Sequence, residues 1–138
     1  MLAMEKSCGV MIQCMLVALI CFAHARRVLV MGDIGTATSY GPPYLPTRCP
    51  GYDQDQLPVN GFFVAAGSAI WDNGASCGRR YRVRCLSGLR RPCRDGFTVV
   101  QVVDVCRFTP CPTMAFSDKA FDALSKIPNT KINIEYQQ

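Results

Sequence analysis

The stretch Arg79-Arg80-Tyr81-Arg82-Val83-Arg84-Cys85 decides the fold class of this chain. From Tyr81 onward every second residue is apolar, and the residues between them are arginines. A period of two residues is typical of a β-strand that buries one face and exposes the other. The stretch therefore predicts a strand with one core-facing side and one strongly basic outer side.

Four other segments have strand character, and they lie on both sides of this stretch. Residues 34–40 are rich in threonine and end in tyrosine, and residues 62–66 form a short apolar run. Residues 98–103 are mostly β-branched, and residues 131–136 alternate between polar and apolar side chains. Together with one or two short helices, five or six strands predict one mainly β domain that closes into a barrel.

One short helix is predicted near the end of the chain. Ser117 is a good N-cap, and the helix would run to about Lys126 with Phe121 and Leu124 facing the core. Residues 41–61 are rich in proline and show no apolar periodicity. They predict a long surface loop.

The first 25 residues have the pattern of a secretion signal. Lys6 gives a short charged region, an apolar run follows over residues 10–22, and Ala23-His24-Ala25 fits a signal-peptidase site. The alternative is a membrane anchor, but the run is well short of the ~20 apolar residues that a spanning helix needs. We therefore predict a signal peptide over residues 1–25 and a secreted domain over residues 26–138.

Cysteine and histidine counts limit the chemistry. The chain of 138 residues holds nine cysteines and one histidine, and its net charge is +5. Three cysteines lie in the signal segment, so six would remain in an oxidising compartment, where three disulfides are the default. His24 would leave with the signal, which excludes a His-based triad, a Cys-His nucleophile pair and a His zinc ligand.

The spacing of the six remaining cysteines favours one pairing among fifteen. Two pairs are close in sequence and would close short loops, which leaves one long-range pair. The favoured disulfides are Cys85–Cys93, Cys106–Cys111 and Cys49–Cys77. The alternative is a metal site built from the four cysteines between residues 85 and 111, although these lack the close CxxC spacing of zinc sites. We predict no metal and no other cofactor.

Four segments carry a resemblance to a known family: Gly35-Thr36-Ala37-Thr38-Ser39-Tyr40-Gly41, Ile70-Trp71-Asp72-Asn73-Gly74-Ala75-Ser76-Cys77-Gly78-Arg79-Arg80-Tyr81, Val102-Val103-Asp104-Val105-Cys106 and Lys131-Ile132-Asn133-Ile134-Glu135-Tyr136. On these segments the chain resembles the plant natriuretic peptides, also described as endoglucanase-45-like domain proteins, which are relatives of the expansin N-terminal domain and of barwin. The resemblance covers nearly all of residues 33–138. It implies a six-stranded double-psi β-barrel and the same disulfide pairing.

The resemblance also directs attention to two carboxylates that the related endoglucanases need. Those enzymes invert the anomeric carbon with one acid and one base. The base would follow Tyr40, where this chain has Gly41, and the acid would stand at Ala115. Asp118 could replace the acid only after a shift in register. We therefore predict that the protein is not an enzyme.

A remnant of the ligand groove is predicted around Thr38, Tyr40 and Asp104. In the expansin relatives, the aspartate that matches Asp104 lines a polysaccharide groove beside the other two residues. The alternative is a structural aspartate that accepts backbone N–H groups near Cys106. Trp71 and Tyr81 could stack on a sugar ring, but both are predicted to belong to the core.

Seven arginines lie between Arg79 and Arg94, and Asp95 is the only acidic residue in or beside that run. We predict a basic interaction surface from five of them: Arg80, Arg82, Arg84, Arg90 and Arg91. Such a surface suits an acidic partner such as a plasma-membrane receptor, pectin carboxylates or anionic lipid heads. The alternative is a solvated edge strand whose charges block aggregation. Secretion argues against nucleic acid as the partner.

Three functional hypotheses follow. The first is extracellular signalling in water and solute homeostasis, which the resemblance implies and which agrees with the missing carboxylates and the basic surface. The second is wall-polysaccharide binding without hydrolysis, linked to defence as in the barwin relatives. The third is a residual lytic enzyme. The first is preferred, for a monomer in the extracellular space (the apoplast).

Overall fold

The computed structural model describes the backbone of residues 2–25, 31–51 and 56–138, and the side chains of residues 8–20, 31–51 and 56–138. The chain divides into two compact units, Met1–Met31 and Gly32–Gln138. The first unit contains one helix, α1 (Leu2–Ala25), in which Cys8 and Cys14 are exposed and unpaired. The division of the chain at residue 25 into a signal peptide and a secreted domain stays a prediction.

In the described part of the chain, no helix has both the length and the apolarity required to cross a membrane.

The second unit is a closed six-stranded β-barrel. Its strands are β1 (Asp33–Tyr40), β2 (Phe63–Ala66), β3 (Arg80–Gly88), β4 (Thr98–Val105), β5 (Met114–Ser117) and β6 (Ile132–Gln137). They are hydrogen-bonded in the order β1-β5-β2-β4-β3-β6, with parallel pairing in β1–β5 and β2–β4. The helices of this unit are α2 (Ser68–Trp71), followed by the 3-10 turn Asp72–Gly74, and α3 (Asp118–Leu124). The predicted six-stranded barrel is confirmed.

Strand β3 has the two faces that its alternation predicts. Tyr81 and Val83 are buried in the barrel core, and the arginines between and beside them are exposed. The strand pairs with β4 on one side and with β6 on the other. The alternative of an edge strand is therefore wrong, because closure of the barrel leaves β3 with a neighbour on each side.

Strand β5 is the element that the sequence patterns did not predict. It has only four residues, and all four are buried. A buried strand of this length shows no alternation, so its pattern cannot be told from any short apolar run. Helix α3 follows directly, and the Ser117 side chain accepts a hydrogen bond from the Ala120 N–H, which confirms the predicted cap.

The three disulfides confirm the predicted pairing: Cys49–Cys77, Cys85–Cys93 and Cys106–Cys111. The alternative metal site is wrong, because its four cysteines are bonded to one another in pairs. Cys49 is buried and packs in the core, and it anchors the loop of residues 41–61. The described residues of this loop form no strand and no α-helix.

Candidate functional site

One row of residues crosses four neighbouring strands, and two of its members, Ala65 and Asp104, line a groove. In the register of the sheet, Thr38 pairs with Ala115, Ala115 pairs with Ala65, and Ala65 pairs with Asp104. Paired residues of neighbouring strands point to the same face of a sheet. With strands about 4.8 Å apart, the row spans about 14 Å, and its two central members are small alanines.

Aromatic side chains form one wall of this groove. The rings of Tyr40 and Tyr44 meet edge to face at 5.1 Å, and those of Tyr44 and Phe63 at 4.8 Å. The Tyr44 hydroxyl donates a hydrogen bond to the Tyr40 carbonyl over 3.2 Å. An open pocket of about 270 Å³ lies beside these rings, and Asp104, Arg107 and Phe108 also line it. The proline-rich loop thus supplies part of the wall.

Asp104 holds two loops against the end of the barrel. Its Oδ1 accepts hydrogen bonds from the backbone N–H groups of Arg48 and Val105, each over 2.8 Å. Arg107 donates from Nη2 to Oδ1 over 3.1 Å, and the same nitrogen donates to the Pro46 carbonyl over 3.1 Å. This geometry matches the structural interpretation of Asp104. The carboxylate also lines the pocket, so the two interpretations are compatible.

Two hydroxyl oxygens in the groove are buried without a partner. Thr38 Oγ1 and Tyr40 Oη make no hydrogen bond within the described residues. Thr38 pairs with Ala115 across the sheet, so no carboxylate stands opposite it to accept a bond. A buried polar group without a partner costs about 1–3 kcal/mol. Because both oxygens are covered by protein, a ligand hydroxyl group would reach them only after neighbouring side chains shift.

The electrostatics keep Tyr40 neutral. Burial raises the pKa of its hydroxyl well above the ordinary value, and the negative charge of Asp104 raises it further. Burial also raises the pKa of Tyr44. Both phenols therefore remain protonated at neutral pH and are able to donate hydrogen bonds.

The pocket is lined by one carboxylate, and a second, that of Asp118, approaches Gly41 nearby. Among the described residues that line the pocket, Asp104 is the only acid. Asp118 lies at the start of α3 and does not reach the place of Ala115, because β1 and β5 pair Tyr40 with Ser117. Its Oδ2 does lie 3.3 Å from the position that a Cβ on Gly41 would occupy. Sequence reasoning missed this approach, since it depends on the parallel β1–β5 pairing.

The predicted basic surface lies on the outer side of β3 and on the loop after it. We call it the arginine face, and its members are Arg80, Arg82, Arg84, Arg90 and Arg91, all of them exposed. Arg84 forms two hydrogen bonds of 3.2 Å with Glu135, and the Arg82 guanidinium lies 3.5 Å from the centroid of the Phe97 ring. Arg90 and Arg91 both have positive φ, at 64° and 51°.

The remaining candidates have structural roles. Arg79 pairs with Asp72 over 3.0 Å, and Arg94 pairs with Asp122 over 3.7 Å. Tyr81 is 6% exposed and meets Tyr136 edge to face at 5.7 Å. Trp71 is half-buried and packs against the core. Both aromatic residues match the core interpretation.

Comparison with known proteins identifies relatives of this domain. A family model described as "Lytic transglycolase" matches residues 64–136. An EG45-like domain containing protein of Citrus jambhiri is 41% identical over 108 residues, which cover 75% of this chain and 79% of the relative. EG45-like domain containing protein 2 of Arabidopsis thaliana is 33% identical over 124 residues, which cover 87% and 91%.

Solved structures give the same result for the fold. The apo form of Clavibacter michiganensis expansin matches with a TM-score of 0.58 and 28% identity, over 78% of this chain and 50% of the expansin chain. A mutant of that expansin in complex with cellohexaose matches with a TM-score of 0.59, at the same identity and coverage. This chain thus spans half the length of those expansin chains. By its sequence relatives and its barrel, the chain belongs to the EG45-like domain proteins, which share the double-psi β-barrel with expansins.

Proposed function

We propose that this protein is a non-hydrolytic binding module that acts outside the cell and holds a wall polysaccharide in the groove. The observation that carries the proposal is the pair of buried hydroxyls, Thr38 Oγ1 and Tyr40 Oη, which lack partners among the described residues. The groove that they border has small alanine side chains at its base and aromatic rings along one wall. Sugar rings offer hydroxyl groups to satisfy such atoms and apolar faces to contact the rings.

A neutral glucan fits the charge balance of the groove. The Asp104 carboxylate is paired with the Arg107 guanidinium and accepts two backbone N–H groups, so its charge is compensated. The matched expansin whose structure contains cellohexaose supports the same class of ligand. Cellohexaose is therefore the first probe.

The geometry argues against hydrolysis. Inversion needs an acid and a base about 6.5–9.5 Å apart on opposite sides of the bond. Ala115 and Gly41 stand at the two expected positions, and neither carries an ionisable group. The oxygens of Asp104 are already engaged by four donor contacts from three residues.

Calorimetric titration with cellohexaose tests the proposal. We expect the wild-type protein to bind and the double variant Thr38→Val/Tyr40→Phe to bind roughly tenfold more weakly, because each lost hydroxyl removes about one hydrogen bond. Phe97→Ala, which removes an exposed aromatic ring outside the groove, should leave the affinity unchanged. Equal binding by the double variant, no binding by the wild type, or release of new reducing ends would each contradict the proposal.

Signalling in water and solute homeostasis is the second candidate, and the arginine face favours it. These arginines remain exposed on a strand that already has both its neighbours, so they are free to meet a cell-surface partner such as a receptor. The test is the volume of plant protoplasts, which lack walls, after addition of the purified protein. Swelling that is lost when the disulfides are reduced and alkylated supports signalling. An unchanged volume in osmotically competent protoplasts argues against it.

A further inference from the structure

We propose that the arginine face, together with Phe97 and Val99 beside it, binds a linear acidic polysaccharide that carries one carboxylate on each sugar ring. This site is separate from the groove and takes a ligand of different chemistry. The proposal does not rest on glucan binding in the groove. Together with glucan binding in the groove, it would allow the domain to link two kinds of wall polymer.

Barrel closure leaves the arginines without a protective role. Charged residues on an edge strand prevent sheets from joining, but β3 is hydrogen-bonded on both sides. In the described residues, the side chains of Arg80, Arg90 and Arg91 form no ion pair or hydrogen bond, whereas the Arg84 side chain is paired with Glu135. Three of the five arginines therefore carry positive charge that no neighbouring carboxylate compensates.

The arginines form a row along the barrel wall. Alternate residues of a strand are about 6.6 Å apart, so Arg80, Arg82 and Arg84 stand at regular steps on one side of β3. Arg90 and Arg91 follow in the loop after the strand, and both are exposed. A row of separate charges matches a linear polyanion, which can contact several guanidinium groups at once.

Apolar surface lies next to the row. Phe97 is 55% exposed with the Arg82 guanidinium over its ring, and Val99, which pairs with Arg82 across the sheet, is 45% exposed. A pocket of about 410 Å³ lies here; Arg82, Arg84 and Phe97 line it, and so does Glu135, whose charge is paired with Arg84. A uronic acid residue could place its ring against this apolar surface and its carboxylate on a guanidinium.

Two other acidic partners fit less well. An extended acidic peptide commonly binds by adding a strand to a sheet edge, and β3 has no open edge. A lipid surface offers charge but no ring for the apolar surface beside Arg82. The combination of a charged row and an exposed aromatic ring therefore favours a carboxylated sugar polymer.

The test compares two oligomers that differ only in charge. A galacturonate oligomer of about ten units should bind at low salt, and its fully methyl-esterified form should not. Raising the salt from about 50 to about 200 mM should weaken binding by at least roughly tenfold, since contacts between exposed charges are screened. Fluorescence anisotropy of an end-labelled oligomer measures both effects.

Two matched double variants separate this face from net charge. Arg80→Gln/Arg82→Gln should weaken binding by roughly three- to tenfold, because two exposed charge contacts are lost. Arg79→Gln/Arg94→Gln removes the same charge from arginines that already pair with Asp72 and Asp122, and it should change the affinity by less than about twofold. Thr38→Val/Tyr40→Phe should have no effect, which distinguishes this site from the groove.

Several outcomes would overturn the inference. Equal binding of the methyl-esterified oligomer would show that the arginine face does not recognise the carboxylate charge. Equal loss in the two arginine variants would show that only net charge matters. Binding to phosphatidylserine vesicles or to a polyglutamate peptide, without binding to the galacturonate oligomer, would assign the face to a lipid or a protein.

Discussion

The groove and the arginine face lie on the same barrel and differ in how their polar groups are satisfied. In the groove, the Asp104 charge is met by Arg107 and by backbone N–H groups, while two uncharged hydroxyls lack partners. On the arginine face, the unsatisfied groups are exposed charges. The groove therefore favours a ligand whose hydroxyl groups form direct hydrogen bonds. The arginine face favours a charged ligand that binds on a solvent-exposed surface.

Because of this difference, salt and substitutions should affect binding at the two sites differently. Buried hydrogen bonds depend on precise geometry and are little affected by salt, whereas exposed charge contacts weaken as salt increases. Damage to the walls of the groove should therefore abolish one activity and spare the other.

Removal of the Cys49–Cys77 disulfide should have the largest effect. The bond anchors the loop of residues 41–61, which carries Tyr44 of the groove wall and Arg48, whose N–H group donates to Asp104. We expect Cys49→Ala/Cys77→Ala to lower the free energy of unfolding by about 3 kcal/mol and to abolish glucan binding. Urea unfolding and calorimetry measure the two effects.

The control for this variant is Cys106→Ala/Cys111→Ala, in which the sequence separation of the bonded cysteines is 5 instead of 28. A shorter loop gives a smaller entropic stabilisation, so this loss should be smaller. The comparison of the two surfaces would be wrong if binding at the arginine face fell together with groove binding while the barrel was still folded.

Asp104→Ala should lower the free energy of unfolding by about 2–3 kcal/mol, because it leaves the N–H groups of Arg48 and Val105 and the Arg107 guanidinium without their acceptor. Asp104→Asn keeps one acceptor oxygen and should lose less. Chemical denaturation ranks the two variants. Equal loss in both would mean that the charge, and not the backbone hydrogen bonds, holds the loops in place.

Thr38→Val should raise stability slightly and lower binding. The substitution removes a buried hydroxyl that has no partner among the described residues, so we expect a gain of up to about 1 kcal/mol with weaker binding of cellohexaose. Thr36→Val is the matched control, since Thr36 Oγ1 accepts a hydrogen bond from the Thr113 N–H. That variant should be destabilised, and a gain in both would contradict the role of the unpaired hydroxyl.

Alkaline pH should lower the free energy of unfolding through ionisation of Tyr40. Its pKa is raised above the ordinary value of 10.0 by burial and by Asp104, so the unfolded chain releases this proton first. The stabilising contribution is complete below pH 10 and is lost as the pH rises above it. Unfolding measured across this range should show a shallower loss for Tyr40→Phe. An identical slope would exclude Tyr40 as the source.

Local patterns predicted part of this molecule correctly. The two faces of β3, the cap at Ser117 and the short-range disulfides depend on residues close together in the chain, so spacing alone was sufficient. The resemblance added the barrel topology and the two vacant carboxylate positions. Strand β5 was not predicted, because four consecutive buried residues show no periodicity. The alternative interpretation of β3 as an edge strand was wrong, because the closure of a barrel depends on all its strands and cannot be predicted from one of them.

Local sequence patterns are sufficient to assign which face of each alternating strand is basic or apolar. Three features are visible only in the folded barrel: the row formed by Thr38, Ala115, Ala65 and Asp104, the approach of Asp118 to Gly41, and the lack of a free edge on β3. These features arise from pairing between strands that lie far apart in the chain. Such pairing depends on the closure of the whole barrel, where each register is fixed by all the others.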